Sequence, residues 1–185
     1  HYLDIKHPII MENLHGIKRT LGSRQKAKKP ILINDLKLII KAIDQKISYR
    51  NSVESKVKGQ FRLRDKALIL IGFAGGFRRS ELVNIDIEDI DFVTEGVKIL
   101  IKRSKTDQSG EGIIKAIPYF DKSEFCPVTA LKNYIKFKFT DIKEGKVFEI
   151  SDKSVALIIK RYAEKAGLNS SHFAGHSLRS GFATT

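Results

Sequence analysis

Apolar residues fall at Leu36, Ile39, Ile40, Ile43 and Ile47, the repeat of one helix face, which predicts a helix over 35–48. Asn34 is placed as its N-cap, with Ile33 and Leu38 on either side as a hydrophobic staple. Residues 49–60, YRNSVESKVKGQ, are polar and read as a loop. The next stretch, RLRDKALILIGFAGGF (62–77), has a charged first turn and is then apolar nearly all round. That pattern predicts a buried helix ending at the Gly75-Gly76 pair. A short helix fits Arg79 to Asn84. Alternation predicts strands at Val97–Ile101 and Ile113–Pro118, joined by the Gly-, Ser- and Asp-containing loop RSKTDQSGEG. Val128–Phe139 reads as helix with Pro127 in its first turn, and Val147–Ile150 as a short strand. A last well-patterned helix runs from about Asp152 to Ala166, its stripe formed by Val155, Ile158, Ile159, Tyr162 and Ala166. Ser151 is its N-cap and Gly167 its stop. Helices with one small antiparallel hairpin make the expected class mainly α with a small sheet (α+β). There is no internal repeat and no low-complexity segment.

The beginning of the chain has a different texture. His15 to Lys29, HGIKRTLGSRQKAKK, carries six Lys or Arg residues and two Gly. It reads as a basic linker, able either to lie along phosphates or simply to stay solvated. The domain proper is expected from Pro30 onward, with 1–29 belonging to something that precedes it.

Charge changes the picture most. The chain has 34 Lys and Arg against 21 Asp and Glu, a net +13. Such a surplus calls for a polyanionic partner, either nucleic acid or an anionic membrane surface. No apolar run has the length of a membrane span and the first 20 residues lack a signal-peptide layout. The single cysteine, Cys126, rules out an internal disulfide framework and suits a reducing compartment, so a cytoplasmic location is expected. Together these favour nucleic acid over membrane.

Several chemistries find no support. GFAGGF lacks the G-K-[ST] ending of a phosphate-binding P-loop. No spaced Cys/His set and no H-E-x-x-H is present, and neither a metal nor a cofactor is expected. Asp86, Glu88, Asp89 and Asp91 in IDIEDIDF are read as the solvent face of a strand rather than as a two-metal site. Three basic features remain. Arg78, in GFRRSEL, follows a buried helix and is spaced for a charge-assisted brace from Glu81, though a plain structural ion pair has the same spacing. Lys105, in the hairpin loop, is suited to reach a substrate and release a proton, or only to be solvated. His176 and Arg179, three apart near the start of a helix expected at Ser177, are spaced to clamp one phosphate. Arg79, Lys102 and Arg103 are candidates for phosphate contact.

Taken in order, GFAGGFRRSELVNIDIEDIDF, IKRSKTDQSGEG and GHSLRSGFATT resemble the phage-integrase branch of the tyrosine recombinase family, across most of residues 31–185. The resemblance implies a tyrosine-recombinase-like catalytic domain from residue 30. It makes 1–29 the end of a core-binding, DNA-binding domain plus linker. It implies that Arg78 and Arg179 bind the scissile phosphate of duplex DNA, that Lys105 protonates the leaving 5′-oxygen and that His176 donates a hydrogen bond or shuttles a proton. A tyrosine nucleophile forming a 3′-phosphotyrosyl bond, and assembly as a tetramer on two DNA sites, are implied as well. The family's tyrosine lies downstream of H-x-x-R, whereas Tyr2, Tyr49, Tyr119, Tyr134 and Tyr162 all lie upstream. The nucleophile is therefore expected outside this chain, and the chain alone is expected not to cleave DNA. Neither a Gly cap nor a Pro closes the pattern after Arg179, so the chain is expected to stop inside a helix. Two alternatives remain open: a type IB topoisomerase-like enzyme, and a non-catalytic, decayed integrase that only occupies its site.

Overall fold

In the computed structural model, residues 6–21, 28–45, 52–102, 112–121, 123–138 and 144–185 are described. Seven α-helices and three strands are defined among them: α1 Pro8–Leu21, α2 Ile33–Asp44, α3 Ser52–Ala74, α4 Arg79–Val83, β1 Ile90–Val93, β2 Gly96–Ile101, β3 Ile113–Pro118, α5 Pro127–Lys138, α6 Asp152–Lys165 and α7 Ser177–Thr184. The strands form one antiparallel sheet in the order β1-β2-β3. The α+β class is thus the one expected.

The second half of α3 is the centre. Ala67, Leu68, Ile69 and Ile71 are wholly buried, because α5, α7 and α2 pack around them. α6 lies against α2 and α4, closing the core with Val155, Ile158, Ile159 and Tyr162. Val97, Ile99, Ile101 and Ile117 add the inward face of the sheet. Asp65 is fully buried here, satisfied by the Tyr162 hydroxyl at 3.0 Å and by Arg64 Nη2 at 2.7 Å. Burial, and then the facing Asp65 carboxylate, raise the Tyr162 pKa well above the ordinary phenol range. Tyr162 is thus a core residue.

Helix ends follow local chemistry. The Ser151 hydroxyl accepts from the Ser154 N–H at 3.3 Å, capping α6. Gly167, at φ +75°, ends α6 in a Schellman turn, with Leu168 N–H bonded to the Ala163 carbonyl at 2.8 Å.

Five expectations are corrected. The polar stretch 49–60 contains the first turns of α3, which begins at Ser52. Its Glu, Lys and Gln residues favour helix, and the turns add to one already anchored by its buried half. Asn34 lies inside α2. Leu32 holds the N-cap position, and the Asp35 carboxylate accepts from its N–H at 3.4 Å. Ile33 and Leu38 are both over 40% exposed, so they form no buried staple. The basic linker is helical as far as Leu21, because Ile10, Leu14, Ile17 and Leu21 repeat at helical spacing. Val147–Ile150 is not a strand. Lys146 bridges Asp86, Val147 N–H bonds Ile85 O at 3.0 Å, and the chain then turns into α6. Finally, β1 adds a third strand, and of the four clustered acids only Asp91 lies on it. Ile87–Asp89 form a 3-10 turn.

Residues 28–31 are tied to the end of the chain. Lys29 N–H bonds His172 O at 2.8 Å and Ile31 N–H bonds Ser177 O at 3.0 Å, while Lys28 Nζ reaches Ser171 O at 2.8 Å. A Cβ at Gly181 would overlap the Ile31 carbonyl oxygen. Glycine there lets α7 lie directly on this segment.

Candidate functional site

The site is built on the C-terminal end of α3. Gly76, at φ +55°, adopts the left-handed conformation, and a Schellman turn results: Phe77 N–H bonds Gly72 O at 3.2 Å and Gly76 N–H bonds Phe73 O at 3.1 Å. The Gly75 and Gly76 carbonyls are left to seek other donors. Two cations from distant parts of the chain supply them. Arg179 Nη1, from α7, donates to Gly76 O at 2.8 Å. Lys115 Nζ, from β3, donates to Gly75 O at 2.6 Å and stands 4.9 Å from the centre of the Phe77 ring. The Phe77 ring lies against Gly75, and the Phe182 ring of α7 against Gly76, each where a Cβ would stand.

The chain leaves this cap through Arg78, the N-cap residue of α4. The Glu81 carboxylate, almost wholly buried, accepts from the Arg78 backbone N–H at 2.9 Å and from its Nη1 at 2.6 Å. One carboxylate therefore fixes both backbone and guanidinium, and the expected brace is present. The Arg78 side chain remains 30% exposed. Lys115 lies within the fields of Glu81, Arg179 and Arg78. Burial, and then the two arginines, lower its pKa against the opposing pull of Glu81. Lys115 thus feels two neighbouring arginines and the carboxylate that holds one of them.

Of the other sequence candidates, His176 is exposed at the N-cap position of α7, one turn before Arg179. Arg79 runs its stem over Gly175, where a Cβ would overlap its Cδ, so this glycine makes room for the arginine. Lys102 lines one cavity with Glu81 but is paired with other acids. Its ammonium is 2.9 Å from Asp89, 3.2 Å from Asp86 and 3.6 Å from Glu88. Asp89 first, then Asp86, raise its pKa far above the lysine range. Lys105 and Arg103 lie outside the described residues. Among the described residues no group of three His, Cys, Asp or Glu side chains is placed to hold a metal ion, and no helix is long and apolar enough to cross a membrane.

Lys115 was not among the sequence candidates. Its signal was a lysine on the inward face of β3, two residues before buried Ile117 and paired in register with Ile99, which is wholly buried. A cation at such a position needs an acceptor within the fold.

Two arginines from separate motifs, held on one helix cap, match the order seen in the sequence, and the model of the phage integrase family matches residues 34–185. The chain belongs to the phage integrase family. This phage integrase domain is 43% identical over 192 residues to an integrase/recombinase XerD homolog of Selenomonas ruminantium, covering 97% of the chain and 52% of that protein. It is 30% identical over 122 residues to the tyrosine recombinase XerA of Pyrococcus horikoshii, covering 66% of the chain and 40% of that protein. The chain thus spans about half the length of these curated relatives. Among solved structures, the fold matches XerA recombinase with a TM-score of 0.60 at 18% identity, over 99% of the chain and 61% of that structure. It also matches XerH site-specific recombinase bound to a palindromic difH substrate in a post-cleavage complex. There the TM-score is 0.61 at 20% identity, over 86% of the chain and 42% of that structure.

Proposed function

We propose that this chain is the larger part of the catalytic domain of a site-specific DNA recombinase, and that Arg78 and Arg179 grip the scissile phosphate. The observation that carries the reading is the Arg179–Gly76 hydrogen bond at 2.8 Å. It ties the arginine of H-x-x-R to the cap from which Arg78 emerges. Strand cleavage passes through a pentavalent phosphorus whose non-bridging oxygens gain negative charge. Preorganised guanidinium groups stabilise that charge without moving. Glu81 lowers the reorganisation cost by holding Arg78 in place before the phosphate arrives.

Lys105 acts in this proposal as general acid toward the leaving 5′-oxygen, and His176 as hydrogen-bond donor or proton shuttle. Both assignments rest on motif order. The nucleophile is a tyrosine outside these 185 residues, giving a 3′-phosphotyrosyl link that conserves the phosphodiester bond energy. The chain by itself binds DNA and does not cut it. Residues 1–29 form the end of a DNA-binding domain and its linker, and the intact protein works as a tetramer on two sites. The net charge of +13 and the XerH complex with its own DNA substrate support duplex DNA as the partner.

The test uses the full-length protein and a pool of nicked, random-sequence duplexes. A covalent adduct should form, identified by mass spectrometry as a phosphotyrosyl peptide, and Arg78→Ala should abolish it. Adduct formation unchanged by Arg78→Ala would remove the catalytic assignment. DNA occupancy with no adduct would support the non-catalytic reading instead. Relaxation of supercoils without site preference would support the topoisomerase reading.

A further inference from the structure

We propose that Lys115 is a positioning residue of the phosphate site, clamping the cap of α3 so that Arg78 and Arg179 keep a fixed separation and adding a third positive charge beside them. This rests on the phosphate-site reading above. Arg179 and Lys115 come from different elements, α7 and β3, yet they take consecutive carbonyls of one turn: Gly76 O at 2.8 Å and Gly75 O at 2.6 Å. A shift of either carbonyl moves the donor bound to it and also moves Phe77, from which Arg78 continues.

Lys115 holds this turn from the other side. Its ammonium lies over the Phe77 ring, 4.9 Å from the centroid, and that ring is packed on Gly75. Phe77 is buried at 2% exposure, so its ring is a rigid platform. The cation is thus held by a carbonyl and an aromatic face, which fix its direction, rather than by a carboxylate, which would neutralise it. Among the described residues Glu81 is the one acid among its charged neighbours, and it is bonded to Arg78. Lys115 therefore delivers net charge to the site as well as geometry. Charge neutralised by a close carboxylate is the opposite case, as at Lys102.

The experiment is a titration of the ¹⁵N-labelled 185-residue chain with inorganic phosphate, following the amide signals of Gly76, Phe77 and Arg78 and the side-chain Nε–H signals of Arg78 and Arg179. The wild-type chain should show saturable shifts at these groups. Lys115→Met should weaken the apparent affinity by about three- to tenfold, the loss of one nearby charge in a half-buried setting. Lys115→Arg keeps a donor and a charge and should restore most of it. Lys115→Gln, with a donor and no charge, should fall between them, and it serves if the methionine variant does not fold. Wild-type affinity in a folded Lys115→Met or Lys115→Gln chain would overturn the proposal. Failure of Lys115→Arg to rescue would reduce Lys115 to a structural residue and overturn it equally. An absence of phosphate shifts at Arg78 and Arg179 in the wild-type chain is a different result, since it would overturn the phosphate-site reading itself.

Discussion

Two cation clusters stand on this domain, and they are built in opposite ways. At the cap of α3, Lys115 and Arg179 hold the Gly75 and Gly76 carbonyls, and Arg78 leaves the cap bonded to Glu81. At the 3-10 turn before β1, Asp86, Glu88 and Asp89 gather around Lys102, with Lys146 on Asp86 at 2.8 Å. Among the described residues the first cluster has more cations than acids: Lys115 and Arg179 are turned toward backbone carbonyls, and Arg78 is bonded to Glu81. The second is neutralised by its own acids. A basic residue on a basic protein is therefore informative only once its partners are known. On the proposed reading, a phosphate site is marked by cations that outnumber the acids around them.

The largest effect expected is on the surplus side. In full-length protein, Arg179→Ala should lower covalent adduct formation about 10²- to 10³-fold, the scale seen when one preorganised transition-state donor is removed. Quantified adduct on nicked duplexes is the readout. A loss below tenfold would put Arg179 outside the reacting centre.

A second variant breaks the geometry while leaving every charge in place. Gly181→Ala sets a methyl group against the Ile31 carbonyl oxygen and the Phe73 ring. It should cost about 1–3 kcal/mol of stability and displace α7. Thermal unfolding measures the first, and the Arg179 Nε–H chemical shift the second. An unchanged melting temperature would mean that α7 does not press on residue 31 as the structure has it.

The two clusters should also part company with pH. Lys115 has a folded pKa below that of a free lysine, so it loses its charge at lower pH in the folded chain than in the unfolded one. Phosphate affinity of the wild-type chain should therefore decline on the alkaline side before that of Lys115→Arg. In the same window the native state binds fewer protons than the unfolded state, so this group's contribution to stability rises with pH. Affinity and stability should move in opposite directions there. At the acid turn the sign is the other one. The Asp86 carboxyl is held below its usual pKa, chiefly by Lys146. Its contribution is present above the unfolded value of about 3.9 and is lost as pH falls through the folded one. Hydrogen exchange at residues 86–89 between pH 5 and 2 follows that loss.

The smallest effect is expected from Lys102→Met. Since its charge is already neutralised, phosphate affinity at the cap should change by less than about twofold, read from the same titration. A drop matching that of Lys115→Met would erase the distinction between the clusters.

How much of this was legible in the sequence depended on whether the signal was local. Helices α5 and α6, the Ser151 cap, the Gly167 stop and the Arg78–Glu81 brace were all readable, because each depends on residues within a few positions of one another. The stripe of α1 was legible too and was masked by its flanking charges. The first turns of α3 advertise themselves only by Val53, Val57 and Phe61, a thin stripe at helical spacing among polar residues that read as loop. The occupants of Asp86 and Asp89, and the role of Lys115, depend on pairs far apart in sequence. Lys115 meets Gly75 across forty positions. No periodicity carries such a contact, although a lysine among inward-facing isoleucines showed that an acceptor had to exist.

The central claim is that an oxyanion belongs on the cap of α3 and not at the acid turn. A crystal of the chain soaked in tungstate, a heavy-atom stand-in for phosphate, tests this by anomalous scattering. The account predicts a tungsten peak within hydrogen-bonding reach of both Arg78 and Arg179. A peak at Lys102, or full occupancy elsewhere with none between the two arginines, would contradict it.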